Sequence, residues 1–194
     1  MVKPLKFVTT NMGKFRSAQK YFANNGVEIE QLSLDLPEIR KDDIHKIAIH
    51  KALFAYKEIK QPVIVHDTGF YIEALNGYPG FCVGYTLDKI GINGLLKLIS
   101  EPSKASFKSY LAYMDNSLSE PILFEDTYNG TLQNKVSGEK QLFFWSDLFL
   151  AFTPNGRKKT LAEHTEQEFR ALEKSLDTTS CFCKFASWYR KEKK

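Results

Sequence analysis

Phe7-Val8-Thr9-Thr10-Asn11-Met12-Gly13-Lys14 is the stretch that decides the architecture. It opens as a short apolar strand over 7–10, then passes a tight turn. Phe15, Ala18 and Phe22 follow at helical spacing until Asn25-Gly26 stops the pattern. Working outward, 27–34 reads as a second strand, and Leu36-Pro37-Glu38-Ile39 as a loop, because the proline forbids continuation. Residues 43–60 lack Gly and Pro and begin with a capping Asp43, so they read as a helix. Residues 62–65 form a β-branched strand ending at His66-Asp67. This alternation predicts an α/β fold.

Further along, Gly77-Tyr78-Pro79-Gly80 is a turn, 86–100 reads as one or two short helices broken between Gly91 and Gly94, and 107–114 as a strand. Asn129-Gly130 predicts a hairpin joining strands over 122–128 and 131–136. The most apolar stretch, 142–152, is expected to be mostly buried, with helices over 165–176 and 185–194 after it. There is no internal repeat, and one domain over residues 1–194 is the default for this length.

The 194 residues carry 27 basic and 23 acidic side chains mixed along the chain, a net charge of +4. That balance is too even for a protein that coats nucleic acid and equally suits a small polyanion. The short basic tail at 190–194 reads as solvated. Cys82, Cys181 and Cys183 form an odd set without CxxC spacing, which fits a reducing cytoplasm. No apolar run approaches the roughly 18 residues that span a bilayer.

Three groups of residues can carry chemistry. Thr9, Asn11 and Lys14 sit where a strand hands over to a helix N-terminus, whose N–H groups and dipole favour a phosphate; ordinary capping by Asn11 with a solvent-exposed Lys14 is the plainer alternative. Lys51 lies roughly 700° around its helix from Ile44, near the stripe of Ile47, Ala48 and Ala55, and there it either finds an anion or snorkels to water. Glu38 and Asp67 come from separate loops and suit Mg²⁺, or each is an ordinary surface or capping carboxylate. Phe143-Phe144-Trp145 can stack a nucleobase or simply fill a core, and His164 reads as a surface residue. No GxSxG, HExxH or Cys-His pattern supplies a covalent nucleophile.

Taken in order, these segments resemble the Ham1/inosine-triphosphatase family. Residues 7–14 match its Thr/Ser-x-Asn-x-x-Lys opening. Leu34-Asp35-Leu36-Pro37-Glu38-Ile39 is similar to its acidic-Leu-Pro-Glu-Ile loop, and 47–52 to its Ile-Ala-x-x-Lys-Ala helix. Val65-His66-Asp67-Thr68-Gly69-Phe70 is similar to its Glu/Asp-Asp-Thr/Ser-Gly-Leu strand end, and 73–80 to its Ala-Leu-Gly/Asn-Gly-x-Pro-Gly turn.

The resemblance covers roughly residues 5–100 and implies an elongated, mixed-sheet, two-lobed α/β fold around a central cleft, assembled as a homodimer in the cytoplasm. It implies an Mg²⁺-dependent pyrophosphatase that converts non-canonical purine nucleoside or deoxynucleoside triphosphates to monophosphate and pyrophosphate. Thr9, Asn11, Lys14, Lys51, Thr68 and Trp145 would bind substrate. Glu38 and Asp67 would hold the metal, and Asp67 and Lys14 would serve catalysis.

Two departures stand out. His66 replaces a second acid before Asp67, and the C-terminal third, with 177–194 as a divergent extension, lacks the family's Lys and its Ser-His-Arg, which read the purine oxygen. Either Glu166-Gln167-Glu168 or Ser180-Cys181-Phe182 stands against the latter triplet, and neither restores His-Arg. An altered base preference follows. The alternative function is a catalytically impaired nucleotide-binding or interaction protein.

Overall fold

Side-chain alternation along parallel strands builds the first layer of the molecule. In the computed structural model, which describes residues 4–37, 43–176 and 179–193, Leu5–Val8 (β1) pairs in parallel with Ile29–Leu32 (β2) on one side and with Val63–Ile72 (β3) on the other. The sheet continues through Ser103–Met114 (β5) and Ile122–Leu132 (β6) to Phe152–Pro154 (β7), in the order β2-β1-β3-β5-β6-β7. The two-residue strand Pro79–Gly80 (β4) pairs antiparallel with β3. The helices are Met12–Asn24 (α1), Ile44–Ile59 (α2), Val83–Leu96 (α3), Glu166–Leu176 (α4) and Cys181–Glu192 (α5). The chain therefore has the α/β, mixed-sheet class expected of it.

The chain divides into two compact units. The first comprises Met1–Asp67, Ser109–Asp126 and Asp177–Lys194, and the second Thr68–Lys108 and Thr127–Leu176. In the first, period-two alternation sends Phe7, Ile64, Leu111 and Tyr113 to one face, against Ala18 and Phe22 of α1 and Cys181, Phe185 and Ala186 of α5. Val8, Val63, Val65, Ala112 and Met114 go to the other, against Ala48, Ala52 and Ala55 of α2. Small alanines on α2 let that helix lie close to the β-branched face of the sheet. The second unit has a core of Phe70, Ile72, Leu95, Phe107, Leu132, Phe149, Phe152 and Phe169. Its rings meet edge to face, as between Phe107 and Phe152 at 4.9 Å.

Helix boundaries follow local chemistry. Asn11 caps α1 by accepting from Lys14 N at 2.9 Å, and Asp43 caps α2 by accepting from His45 N at 3.1 Å. Gly91, at φ 64°, ψ 179°, breaks α3 where the sequence predicts an interruption.

A hairpin signal and a strand end are overturned, for one physical reason. Asn129-Gly130 makes no hairpin: β6 runs straight through it, and Gly130 pairs with Pro154. A Cβ on Gly130 would collide with the Phe152 ring and the Thr153 carbonyl, so this glycine serves close packing of neighbouring strands. Likewise β3 does not end at His66-Asp67 but continues to Ile72, because Gly69 lets Tyr71 and the Gly80 backbone approach. The apolar 142–152 stretch, expected to be mostly buried, is buried at Phe144, Leu148, Phe149, Ala151 and Phe152 and half-buried elsewhere, except Leu142, which is 95% exposed. His164 is half-buried rather than a plain surface residue, with Nδ1 2.8 Å from the Thr160 carbonyl.

The C-terminal helix is tied to the end of β5 by a charged cluster. Asp115 Oδ2 accepts from Tyr113 Oη at 2.6 Å and pairs with Lys193 Nζ at 2.7 Å, while Oδ1 accepts from the backbone N and Oγ of Ser117. Burial alone would push the Asp115 carboxyl up, but these donors outweigh it and hold the group at about 2. Because the folded value lies below the unfolded one, the stabilisation is present above pH 4 and is lost as pH falls toward 2. Asp115→Asn should therefore lower stability by ~2 kcal/mol at neutral pH. Urea unfolding of variant and wild type should converge between pH 4 and 2.

Candidate active site

The site is built on the β1–α1 turn and on β3 just beyond its pairing with β1. β1 stops at Val8, whose partner on β3 is Val65, so Asp67 lies two residues past the last paired position. Alternation places Asp67 on the α2 face with Val65, and His66 on the α1/α5 face with Ile64. The carboxylate is therefore within a strand, not at its end as the sequence implied, but it occupies the first free positions beyond the neighbouring strand's terminus.

Lys51, on the second turn of α2, reaches Asp67 Oδ1 at 2.7 Å, with side chains only 14% and 18% exposed. The inward-stripe alternative is realised, and the anion it meets is Asp67. The second oxygen, Oδ2, is buried and has no hydrogen-bond partner among the described residues. A half-buried carboxylate with one oxygen bonded to a cation and the other unpartnered is costly unless a ligand completes it.

Lys14 approaches from the first turn of α1, with Nζ 3.4 Å from the His66 carbonyl. Burial lowers its amine from the ordinary lysine range; Asp67 acts in the opposite direction, and Lys51 adds like-charge repulsion. Thr9 and Asn11 organise the turn: Thr9 Oγ1 accepts from Asn11 N at 3.1 Å, and Asn11 caps the helix that carries Lys14. Capping by Asn11 and a phosphate role for Lys14 are thus compatible, because the cap holds the first turn in place and Lys14 turns inward rather than to solvent.

His66 shows why geometry matters more than residue type. Its two nitrogens are sealed from solvent without partners among the described residues, and its ring lies 4.8 Å from that of Phe182 on α5. Burial, reinforced by Lys14, drives the imidazole well below its usual range, so it is neutral at physiological pH. The sequence marked His66 as a departure from the family pattern but missed its contact with Phe182, for which no local signal exists. The neighbouring Cys181 thiol is pushed well above its ordinary value by burial and by Asp126, whose Oδ2 also accepts from Cys181 N at 2.7 Å. It is therefore no nucleophile.

Of the other expected site residues, Thr68 follows Asp67 directly and is buried, and it is counted with the second unit. Trp145 also belongs to that unit, where it packs edge-on against Phe107 at 5.6 Å and Phe149 at 5.0 Å. Glu38 lies outside the described residues. Among the described residues no three His, Cys, Asp or Glu side chains converge as a metal cluster, and no helix is long and apolar enough to cross a membrane.

A model of the Ham1 family matches residues 5–180. A dITP/XTP pyrophosphatase from Methanopyrus kandleri is 35% identical, over 95% of this chain and 95% of its own length. An inosine triphosphate pyrophosphatase from Yarrowia lipolytica is 34% identical, over 87% and 91% respectively. Among solved structures, a HAM1 protein from Coxiella burnetii superposes with a TM-score of 0.74 at 20% identity, covering 96% of this chain and 99% of that one. With residues 5–180 matched by the family model and a relative 35% identical over 95% of both chains, the chain belongs to the Ham1 family.

Proposed function

We propose that the chain hydrolyses nucleoside triphosphates between the α- and β-phosphates, releasing a nucleoside monophosphate and pyrophosphate. The observation that carries this reading is Asp67, with one oxygen on Lys51 and the other unpartnered, beside the inward-turned Lys14. Two lysines facing one carboxylate make a seat for a polyphosphate, and a seat without an activated Ser or Cys suits direct attack by water.

In this mechanism Lys14 and Lys51 neutralise the triphosphate and fix its orientation, and the turn built by Thr9 and Asn11 holds the phosphate end at the α1 N-terminus. Asp67 Oδ2 accepts a proton from the attacking water, or would donate a lone pair to a bound metal ion. The donor chemistry fits Mg²⁺, which takes one or two protein carboxylates and shares its remaining positions with water and phosphate oxygens. Asp67 and Glu38 would hold it, and it would supply charge neutralisation at the phosphoryl oxygens. Thr68 and Trp145 would bind substrate, as the family resemblance implies. One functional domain over residues 1–194, a homodimer and a cytoplasmic location complete the reading, on the strength of the family resemblance.

The test is product analysis with purified protein, Mg²⁺ and a panel of ITP, XTP, dITP, GTP and ATP. Monophosphate and pyrophosphate in equal amounts are expected. Release of orthophosphate and a diphosphate, or no product from any nucleotide, would overturn the reading.

A further inference from the structure

Three elements of the first unit converge behind the phosphate seat. Lys14, Ala18 and Phe22 recur every fourth residue and so share one stripe of α1, with Lys14 at its head and Nζ 3.4 Å from the His66 carbonyl. Phe182, in the first turn of α5, lies against the other end of that stripe, edge-on to Phe22 at 5.3 Å and 6.1 Å from Tyr21. The same ring meets that of His66 at 4.8 Å, tilted by 46°. One half-buried aromatic therefore touches both the helix that carries Lys14 and the residue of β3 that precedes Asp67.

A helix start ordinarily frays, because its N–H groups lack partners. The start of α5 is fastened instead. Ser180 Oγ accepts from Cys183 N at 3.1 Å, Asp126 Oδ2 on β6 accepts from Cys181 N at 2.7 Å, and Lys184 Nζ donates to the Glu125 carbonyl. The place of the Phe182 ring is thus set from β6, independently of α1 and β3.

We infer that Phe182 is a positioning residue for the reaction: wedged between α1 and β3, it sets how the Lys14 ammonium stands to the Asp67 carboxylate, and it acts through packing alone. The inference rests on the proposed pyrophosphatase reading. Groups that must grip a triphosphate and aim a water at it tolerate little displacement, and about 1 Å of misplacement costs roughly 10²-fold in rate. Truncating a buried ring leaves a space that its neighbours close only in part. Here the neighbours are Tyr21, Phe22 and His66, so closure shifts the helix of Lys14 or the strand of Asp67.

The test uses the full chain, with rates corrected for the folded fraction. Phe182→Ala should lower kcat for a nucleoside triphosphate by about tenfold or more with KM within about threefold, since misalignment costs the transition state more than the ground state. Phe182→Leu, which refills most of the space, should recover most of the loss. Trp188→Leu is the control: further along α5, Trp188 packs on Tyr113, Phe124 and Phe185, so its truncation should lower the melting temperature and leave kcat within about threefold. A second readout needs no turnover. Acetylation of Lys14 by acetic anhydride, followed by peptide mass spectrometry, should quicken by about threefold or more in Phe182→Ala and stay at the wild-type rate in Trp188→Leu. A smaller loss of kcat in Phe182→Ala, a loss that falls in KM instead, an equal loss in Trp188→Leu, or a smaller change in Lys14 labelling overturns the inference. A wild type that releases no pyrophosphate defeats the functional reading, and the labelling rates then decide by themselves whether Phe182 places Lys14.

Discussion

Asp67→Asn should lower pyrophosphate release by roughly 10²- to 10⁴-fold, the range associated with loss of a positioned proton acceptor, while the circular dichroism spectrum stays that of wild type. The side chain keeps its shape, and the amide oxygen can still face Lys51. What disappears is the negative charge and the basic Oδ2 that the structure leaves without a partner. A purely structural Asp67 predicts the reverse pattern: a lower melting temperature, because Lys51 loses its 2.7 Å ion-pair partner at a site only 14–18% exposed, with turnover per folded molecule preserved. Steady-state rates corrected for the folded fraction separate the two. Turnover within about threefold of wild type would remove Asp67 from the chemistry.

Lys51→Ala should reduce kcat/KM for a nucleoside triphosphate by roughly 10- to 100-fold, about 1.5–3 kcal/mol for a lost charge-assisted hydrogen bond. Much of the change should fall in KM, since the lysine holds phosphate in the ground state as well as in the transition state. The same substitution leaves the Asp67 carboxylate without its cation, so the variant should also melt earlier in the absence of ligand. Lys51→Arg should recover part of the binding, because a guanidinium preserves charge but not the compact point of contact an ammonium makes. Initial-rate measurements against substrate concentration check this. An unchanged KM would mean that Lys51 serves Asp67 alone and does not contact substrate.

Both substitutions act on residues that can be read from the sequence, whereas other features could not be. Asn11, Lys14 and the helix between them are local features: a capping side chain, a glycine-containing turn and a three-to-four spacing of apolar residues lie within one short segment. Asp43 at the head of α2 is equally local. The Asn129-Gly130 hairpin and the end of β3 at His66-Asp67 are misread from the sequence because a glycine has two uses, a positive φ in a turn or the absence of a Cβ where strands crowd together. Only the neighbours Phe152 and Tyr71 reveal which use applies.

The sequence by itself determined the strand–turn–helix opening, the α/β class and the Asn11 cap of the helix that carries Lys14, because each is encoded by side-chain types within a few positions of one another. Tertiary structure alone decided that Lys51 binds Asp67 rather than reaching for solvent, and that β3 and β6 run through their glycines. It also decided that His66 meets Phe182, and that Asp115 fastens the C-terminal helix through Lys193. Those contacts join residues from separate elements, whose approach depends on how whole helices and strands pack, and no local pattern of charge or hydrophobicity encodes it.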